Sequence, residues 1–273
     1  MTTKTEPKEL KQKDGGAADS GPGREGSTVK SLERALEMLT VLGRSRKPLG
    51  VAELARILEV NRTTLYASLN TLLAKSFIEK DAGGKYIIGR RTYEVGRLYR
   101  LRFPFLDILE QLSRAFVEKW HMEIHAGVYN GDGTVMMLIA QHERVPTLRA
   151  NDMLPVHAVS MGKVMMAHMP REEALQAMQL SGMKSYTRNT VIDKQSMQLQ
   201  LREIRHNGYA VDRGEYIDNV MCVAAPIFDI EGQAVAAVSA SGSQERMEHY
   251  FEEILVEVFS MARRASREIG GGL

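Results

Sequence analysis

Residues 51–74, VAELARILEVNRTTLYASLNTLLA, decide the fold of the amino-terminal part of this chain. Leu54, Ala55 and Leu58 recur at i, i+1 and i+4, and Leu65, Leu69, Leu72 and Leu73 at i, i+4, i+7 and i+8, so two short segments each carry one apolar stripe at helical spacing. Asn61 stands at the polar corner between them, where its side-chain oxygen is expected to cap the second helix by accepting a free N–H. With the leucines turned inward, Arg62, Thr63, Thr64, Tyr66 and Asn70 are left facing solvent. A guanidinium, hydroxyls, a phenol and an amide on one face suit the base edges and phosphates of DNA. Many paired amphipathic helices share that outline, so the flanking sequence decides.

Upstream, Ser31 is expected to cap a helix whose apolar positions Leu32, Ala35, Leu36, Leu39 and Leu42 complete a three-helix core. Gly43, Arg44, Ser45 and Pro48 make the connection onward. Downstream, two β-prone runs, residues 77–80 and 85–89, flank Asp81-Ala82-Gly83-Gly84 and predict a hairpin. Three helices and a hairpin give the winged helix-turn-helix order, with the second short helix placed for the major groove. Lys85, and with it Lys80, would then meet phosphates from the wing. Residues 90–102, RRTYEVGRLYRLR, carry five arginines at partly helical spacing and read as a linker helix.

Charge supports that division. Residues 28–103 hold 15 Lys and Arg against 7 Asp and Glu, net +8, whereas residues 104–273 hold 16 against 22, net −6. A basic front joined to an acidic back is the electrostatic footprint of a DNA reader with a separate second domain. Residues 1–27 have almost no large apolar groups and are expected to form a disordered tail. The expected organisation is thus a tail over 1–27, a winged helix-turn-helix domain over 28–89, a linker helix over 90–104 and a second domain over 105–273.

In the second domain Leu106, Leu109, Leu112 and Phe116 mark a helix ending near Trp120, followed by a hairpin of residues 123–129 and 135–139 about Asn130-Gly131-Asp132-Gly133. Leu148 and Ala150 are assigned to another short strand, residues 151–159 to a loop, and helices to residues from Ser160, to 171–180 and to 193–207, with Gly208 as left-handed stop. Residues 209–212, 222–228 and 235–241 read as strands, and a long helix through Tyr250, Ile254, Leu255, Val258 and Met261 closes the chain. Helices flanking an antiparallel sheet make this half, and the protein, α+β.

No run of about 18 apolar residues is present, and the amino terminus lacks the apolar centre of a secretory signal. Cys222 is the one cysteine, which excludes an intramolecular disulfide and a multi-cysteine zinc site. A cytoplasmic protein without membrane partners is expected. His121, His125, His142, His157 and His168 form no compact metal motif, and nothing calls for a cofactor.

With these elements in place, the chain resembles the IclR family of bacterial transcriptional regulators from about residue 29 onward. The resemblance rests most on residues 208–229, GYAVDRGEYIDNVMCVAAPIFD, in the opening Gly-Tyr-Ala, Asp212, Glu215, Cys222, Ala224-Ala225-Pro226 and Phe228-Asp229. Leu154-Pro155-Val156-His157-Ala158 with Gly162-Lys163 and Ala167, residues 186–190 (YTRNT), and Ala236-Ala237-Val238-Ser239 add to it. It implies a winged-helix domain, a linker helix and a GAF-like effector domain. It also implies a homodimer or dimer of dimers (homotetramer) on double-stranded operator DNA, and control, usually repression, of a catabolic operon by a small organic acid or aromatic effector. By motif, the effector-binding candidates are Ser160, Met161, Asp212, Cys222, Ser239 and Ser241. The chain departs from the family pattern at Tyr66-Ala67, where a His-Arg pair is frequent, at Ser76, where Gly is frequent, and at Arg213-Gly214, where acids are common.

Physical chemistry gives those candidates roles. Ser160, Met161 and Gly162 stand at a helix start, whose free N–H groups favour an anion. Ser239 and Ser241, two apart on a strand, project to one face. Asp212 would repel a carboxylate and is expected to accept a hydrogen bond from a ligand hydroxyl or water. Met136, Met153, Met161, Met165 and Met221 are candidates for an adaptable apolar wall, with ordinary core packing as the alternative. Cys222 lies in an apolar strand, as a buried inert thiol would. A thiol enzyme built on it would need a resolving thiol that the sequence lacks, and pairing of Cys222 between two copies is the remaining redox reading.

Overall fold

The computed structural model describes residues 29–45, 47–142 and 148–271; the tail expected over residues 1–27 lies outside them. The chain divides into two compact units between Arg97 and Leu98.

In the first unit, α1 (Lys30–Arg44), α2 (Val51–Ile57) and α3 (Arg62–Ala74) close around Met38, Leu42, Leu54, Leu65 and Leu69. Helices as short as α2 and α3 are marginal in isolation. Burial holds them, at roughly 1.5–3 kcal/mol for each fully enclosed leucine. The start of α1 differs from the sequence reading. The Val29 carbonyl accepts from the N–H groups of Leu32 and Glu33 at 2.8 and 3.1 Å, so Ser31 lies inside the first turn and does not cap it. Met38 takes the core position, while Leu32 and Leu36 are 58% and 56% exposed, because the helix carries two apolar stripes and only one turns inward. Asn61 does occupy the N-cap position of α3, but its side chain makes no capping bond; its carbonyl accepts from Thr64 at 3.0 Å.

The wing is β1 (Ile78–Lys80) paired antiparallel with β2 (Tyr86–Ile88), Ile78 opposite Ile88. Asp81 Oδ1 accepts from the N–H groups of Gly83 and Lys85 at 2.9 and 2.8 Å, which fixes the turn. Ser76 sits at φ +59°, the left-handed turn that a glycine would adopt without strain. Then α4 (Arg90–Arg100) runs on with no buried side chain.

The second unit is built on a six-stranded antiparallel sheet ordered β5-β4-β3-β8-β7-β6. Its strands are β3 (Glu123–Tyr129), β4 (Thr134–Gln141), β5 (Met153–Pro155), β6 (Ala210–Arg213), β7 (Val220–Phe228) and β8 (Ala234–Ser243). Period-two alternation gives the sheet two apolar faces. Met221, Val223, Ala225 and Ile227 of β7 meet α5 (Leu106–Trp120) and α10 (Phe251–Glu268) on one side. Ala224 of β7 and Ala237 of β8 meet α6 (Ser160–His168), α7 (Arg171–Leu180) and α8 (Lys194–Asn207) on the other. The short α9 (Gln244–His249), absent from the sequence reading, joins β8 to α10.

The ends of α8 follow from its sequence. Asp193 Oδ2 accepts from Ser196 N–H at 2.7 Å, and Gly208 closes the helix at φ +78°. The strand expected at Leu148 and Ala150 is not formed. Those residues lie in a bend and a turn, Asn151 at φ +71° already donates to the Met137 carbonyl of β4 at 2.8 Å, and the strand itself runs from Met153, inside the segment read as a loop. This edge strand has three residues and ends on Pro155, a residue that a sheet edge tolerates.

Candidate DNA-reading face and effector cleft

On α3 the buried side chains are Leu65, Ser68, Leu69 and Leu72, and the opposite face presents Arg62, Thr63, Thr64, Tyr66 and Asn70 to solvent. Tyr66 is 49% exposed, and among the described residues Arg62 has no carboxylate partner. Lys85 stands at the foot of the wing, its Nζ 3.9 Å from Glu53, a carboxylate that Lys47 also approaches at 3.6 Å. Lys80 lies over the Tyr86 ring.

In the second unit, strand register assembles the cleft. Glu123 of β3 stands opposite Ser241 of β8, Ser241 opposite Cys222 of β7, and Cys222 opposite Asp212 of β6, so four polar side chains form one row across four strands. His125 opposes Ser239 in the next row on the same face. The start of α6 brings Ser160 and Met161 over these rows, and Tyr216 and Ile217 close one side. The cavity is narrow, with about 30 Å³ of open space, and all six motif-derived candidates, Ser160, Met161, Asp212, Cys222, Ser239 and Ser241, line it. Gly162 is what permits the approach: a Cβ there would meet the Val156 carbonyl oxygen at 2.0 Å.

The lining is rich in groups that make hydrogen bonds. Ser160 and Ser239 are each 2% exposed, and their hydroxyls make no hydrogen bond within the described protein. Neither is among the fully enclosed polar atoms that lack a partner, so both hydroxyls are open to a ligand in the cavity. Asp212 Oδ1 accepts from Glu215 N–H at 2.6 Å. Burial pushes the Asp212 carboxyl up to about 7, with the Glu215 charge acting the same way and the Glu215 N–H and Lys163 opposing. Burial, and then Asp212, also push the Cys222 thiol well above its ordinary range, opposite to what a nucleophilic thiol needs.

Sequence reasoning missed part of the cleft. His125, assigned no role there, is 3% exposed; its Nε2 lies 3.2 Å from Glu123 Oε2 and its Nδ1 3.4 Å from Ser241 Oγ. The period-two spacing of Glu123 and His125 was the available signal. Of the five methionines considered for an apolar wall, Met161 alone lines the cleft. Met165 belongs to the core under α6, Met221 to the core on the other face of the sheet, Met136 packs against that second core, and Met153 is exposed. Behind the cleft, Lys163 of α6, 1% exposed, donates to the Glu215 carboxylate and, at 3.1 Å, to Gln200 Oε1 of α8. No cluster of three metal-ligating side chains occurs among the described residues.

Comparison with known proteins agrees with this geometry. Residues 31–82 match the IclR helix-turn-helix domain, and residues 101–270 match the C-terminal domain of the bacterial transcriptional regulator IclR. The glycerol operon regulatory protein of Streptomyces coelicolor is 33% identical over 89% of this chain and 98% of its own length. The transcriptional repressor AllR of Escherichia coli is 27% identical over 90% of each. The crystal structure of the Thermotoga maritima IclR superposes with a TM-score of 0.73 at 25% identity, over 88% of this chain and 99% of that one. An IclR homologue from Microbacterium hydrocarbonoxydans complexed with 4-hydroxybenzoate shares the fold, with a TM-score of 0.77 at 18% identity over 88% and 98%. With both halves matched and a relative this similar along nearly its whole length, the chain belongs to the IclR family of ligand-responsive bacterial transcriptional regulators.

Proposed function

We propose that this regulator is a repressor of a catabolic operon, that α3 and the wing read double-stranded operator DNA, and that a small effector in the second-unit cleft sets operator affinity. The observation that carries the reading is the convergence of Ser160, Met161, Asp212, Cys222, Ser239 and Ser241 on one cavity, with the hydroxyls of Ser160 and Ser239 making no hydrogen bond among the described residues. A small organic acid or aromatic compound is the effector class in keeping with the free N–H groups at the start of α6. The 4-hydroxybenzoate held by the Microbacterium homologue supports it. The AllR relative supports repression. A homodimer, or a dimer of dimers, is the assembly that a palindromic operator would match. No helix among the described residues is long and apolar enough to cross a membrane, in keeping with a cytoplasmic site of action.

The test is fluorescence polarisation with labelled promoter DNA from beside the protein's own gene. Sequence-specific binding that weakens with salt is expected, together with release by one member of a panel of small acids and loss of that release in Ser239→Val. Binding that ignores sequence would overturn the operator reading. Release that survives Ser239→Val would move the effector out of the cleft.

A further inference from the structure

A second concavity lies away from the cleft, between the end of α6, α7 and α8. Its floor is apolar, made by Met166, Met178, Leu175 and Leu201, and its rim carries three guanidinium side chains, Arg171, Arg202 and Arg205. Its open space is about 290 Å³, more than that of the effector cleft.

Charge marks this groove out. Residues 104–273 are net −6, yet no Asp or Glu lines it, and among the described residues none of the three arginines pairs with a carboxylate. Glu172 and Glu173 follow Arg171 directly on α7, but neither lines the groove. Three uncompensated cations around an apolar floor repel one another unless an anion joins them. Guanidinium matches a carboxylate in planar, two-bond geometry. The two methionines of the floor adapt to irregular apolar bodies.

We infer that this groove is a binding site for an amphipathic carboxylate, a molecule whose apolar body lies on the methionine floor and whose anionic head is held by Arg171, Arg202 and Arg205. The site is separate from the effector cleft but shares a helix with it. The nine residues of α6 place Ser160 and Met161 in the cleft and Met166 and Ala167 in the groove. A ligand that shifts the end of α6 is therefore positioned to alter the cleft. Next to the groove, burial holds His168 below its ordinary range, the Val164 carbonyl opposes, and Arg205 adds to the lowering.

The test is calorimetric titration of the full chain with hexanoate, and with 1-hexanol as the uncharged counterpart. Hexanoate is expected to bind saturably, more weakly at higher salt, and at least about tenfold more tightly than 1-hexanol. The double substitution Arg202→Gln/Arg205→Gln is expected to remove that preference, and Arg171→Gln to reduce it, whereas Ser239→Val leaves it intact. These arginines are exposed, so the variants fold, and circular dichroism checks it. The proposal is overturned if no saturable binding occurs, if 1-hexanol binds equally, or if Ser239→Val abolishes binding while the arginine variants do not. It is also overturned if the arginine variants change only the oligomeric state in sedimentation, which would make the groove a contact between copies.

Discussion

Asp212 and Cys222 stand opposite each other in register on β6 and β7, so the chain's one thiol faces a buried carboxyl. Ionising the thiol there costs desolvation and places a second negative charge beside Asp212. Alkylation by iodoacetamide at pH 7.5 should therefore run at least about tenfold slower in the native protein than in the unfolded chain. The rate should climb only at pH values above the ordinary thiol range. Asp212→Asn should move that profile toward lower pH. Rapid native labelling at neutral pH would contradict this account and revive a redox role.

The raised Asp212 carboxyl has a consequence for stability. In the unfolded chain it titrates near 3.8, and in the folded protein at about 7. The folded state thus holds its proton more tightly, and the stability gained from the neutral form is full below 3.8 and is lost as pH rises to about 7. The loss is of order 4 kcal/mol at most, taking about 1.4 kcal/mol per tenfold change in ionisation. Asn keeps an oxygen for Glu215 N–H but cannot ionise. The melting temperature of Asp212→Asn relative to the native protein should therefore increase from about pH 4.5 to about pH 7 and then level off. A constant difference across that range would show that Asp212 ionises normally.

Lys163 and Glu215 form a buried ion pair, and Glu215 Oε2 has no hydrogen-bond partner. Breaking such a pair from one side leaves a charge without compensation and costs about 3–5 kcal/mol, whereas replacing both ends is often nearly neutral. Lys163→Met should lower the urea midpoint strongly. Lys163→Met/Glu215→Gln should recover most of the loss. Because Lys163 also reaches Gln200 on α8, the double variant is expected to fold yet respond more weakly to effector. Equal destabilisation by the single and the double variant would mean that side-chain packing, not the charge pair, matters here.

Much of this architecture was legible because its elements repeat a spacing. The leucines of α3, the stripe on α5 and the stop at Gly208 are local patterns, and the structure places them as the pattern demands. What failed depended on partners distant in sequence. Leu32 and Leu36 satisfy a helical stripe as well as Met38 does, and only packing against α3 selects between stripes. Leu148 and Ala150 are β-prone, but the left-handed turn at Asn151 keeps them out of the strand, and the chain bonds to β4 only from Asn151 onward. In the cleft, Asp212, Cys222, Ser239 and Ser241 came from a motif, whereas period-two spacing puts Glu123 and His125 on one face of β3 and only the register of β3 on β8 brings that face to the cleft. Lys163 sits in an apolar run, SMGKVMMAH, and its partner Glu215 is 52 residues away.

The final prediction concerns the first unit. Arg62 and Tyr66 lie one turn apart on the exposed face of α3, while Leu65 and Leu69 anchor its other face, so both can be changed without disturbing the core. Arg62 opens the helix, and the proposed docking of α3 gives its guanidinium one of two partners, a phosphate or a guanine edge. If it meets a phosphate, Arg62→Ala should weaken all DNA sequences alike and lower the slope of log affinity against log salt by about 1. If it reads a base, the loss should fall on the operator alone, at about 1–3 kcal/mol. Tyr66 separates packing from hydrogen bonding: Tyr66→Phe keeps the ring and removes the hydroxyl, and Tyr66→Ala removes both. Titrations of operator and scrambled duplexes at two salt concentrations distinguish these outcomes. Full operator affinity in Arg62→Ala/Tyr66→Ala would mean that this face of α3 does not enter the groove.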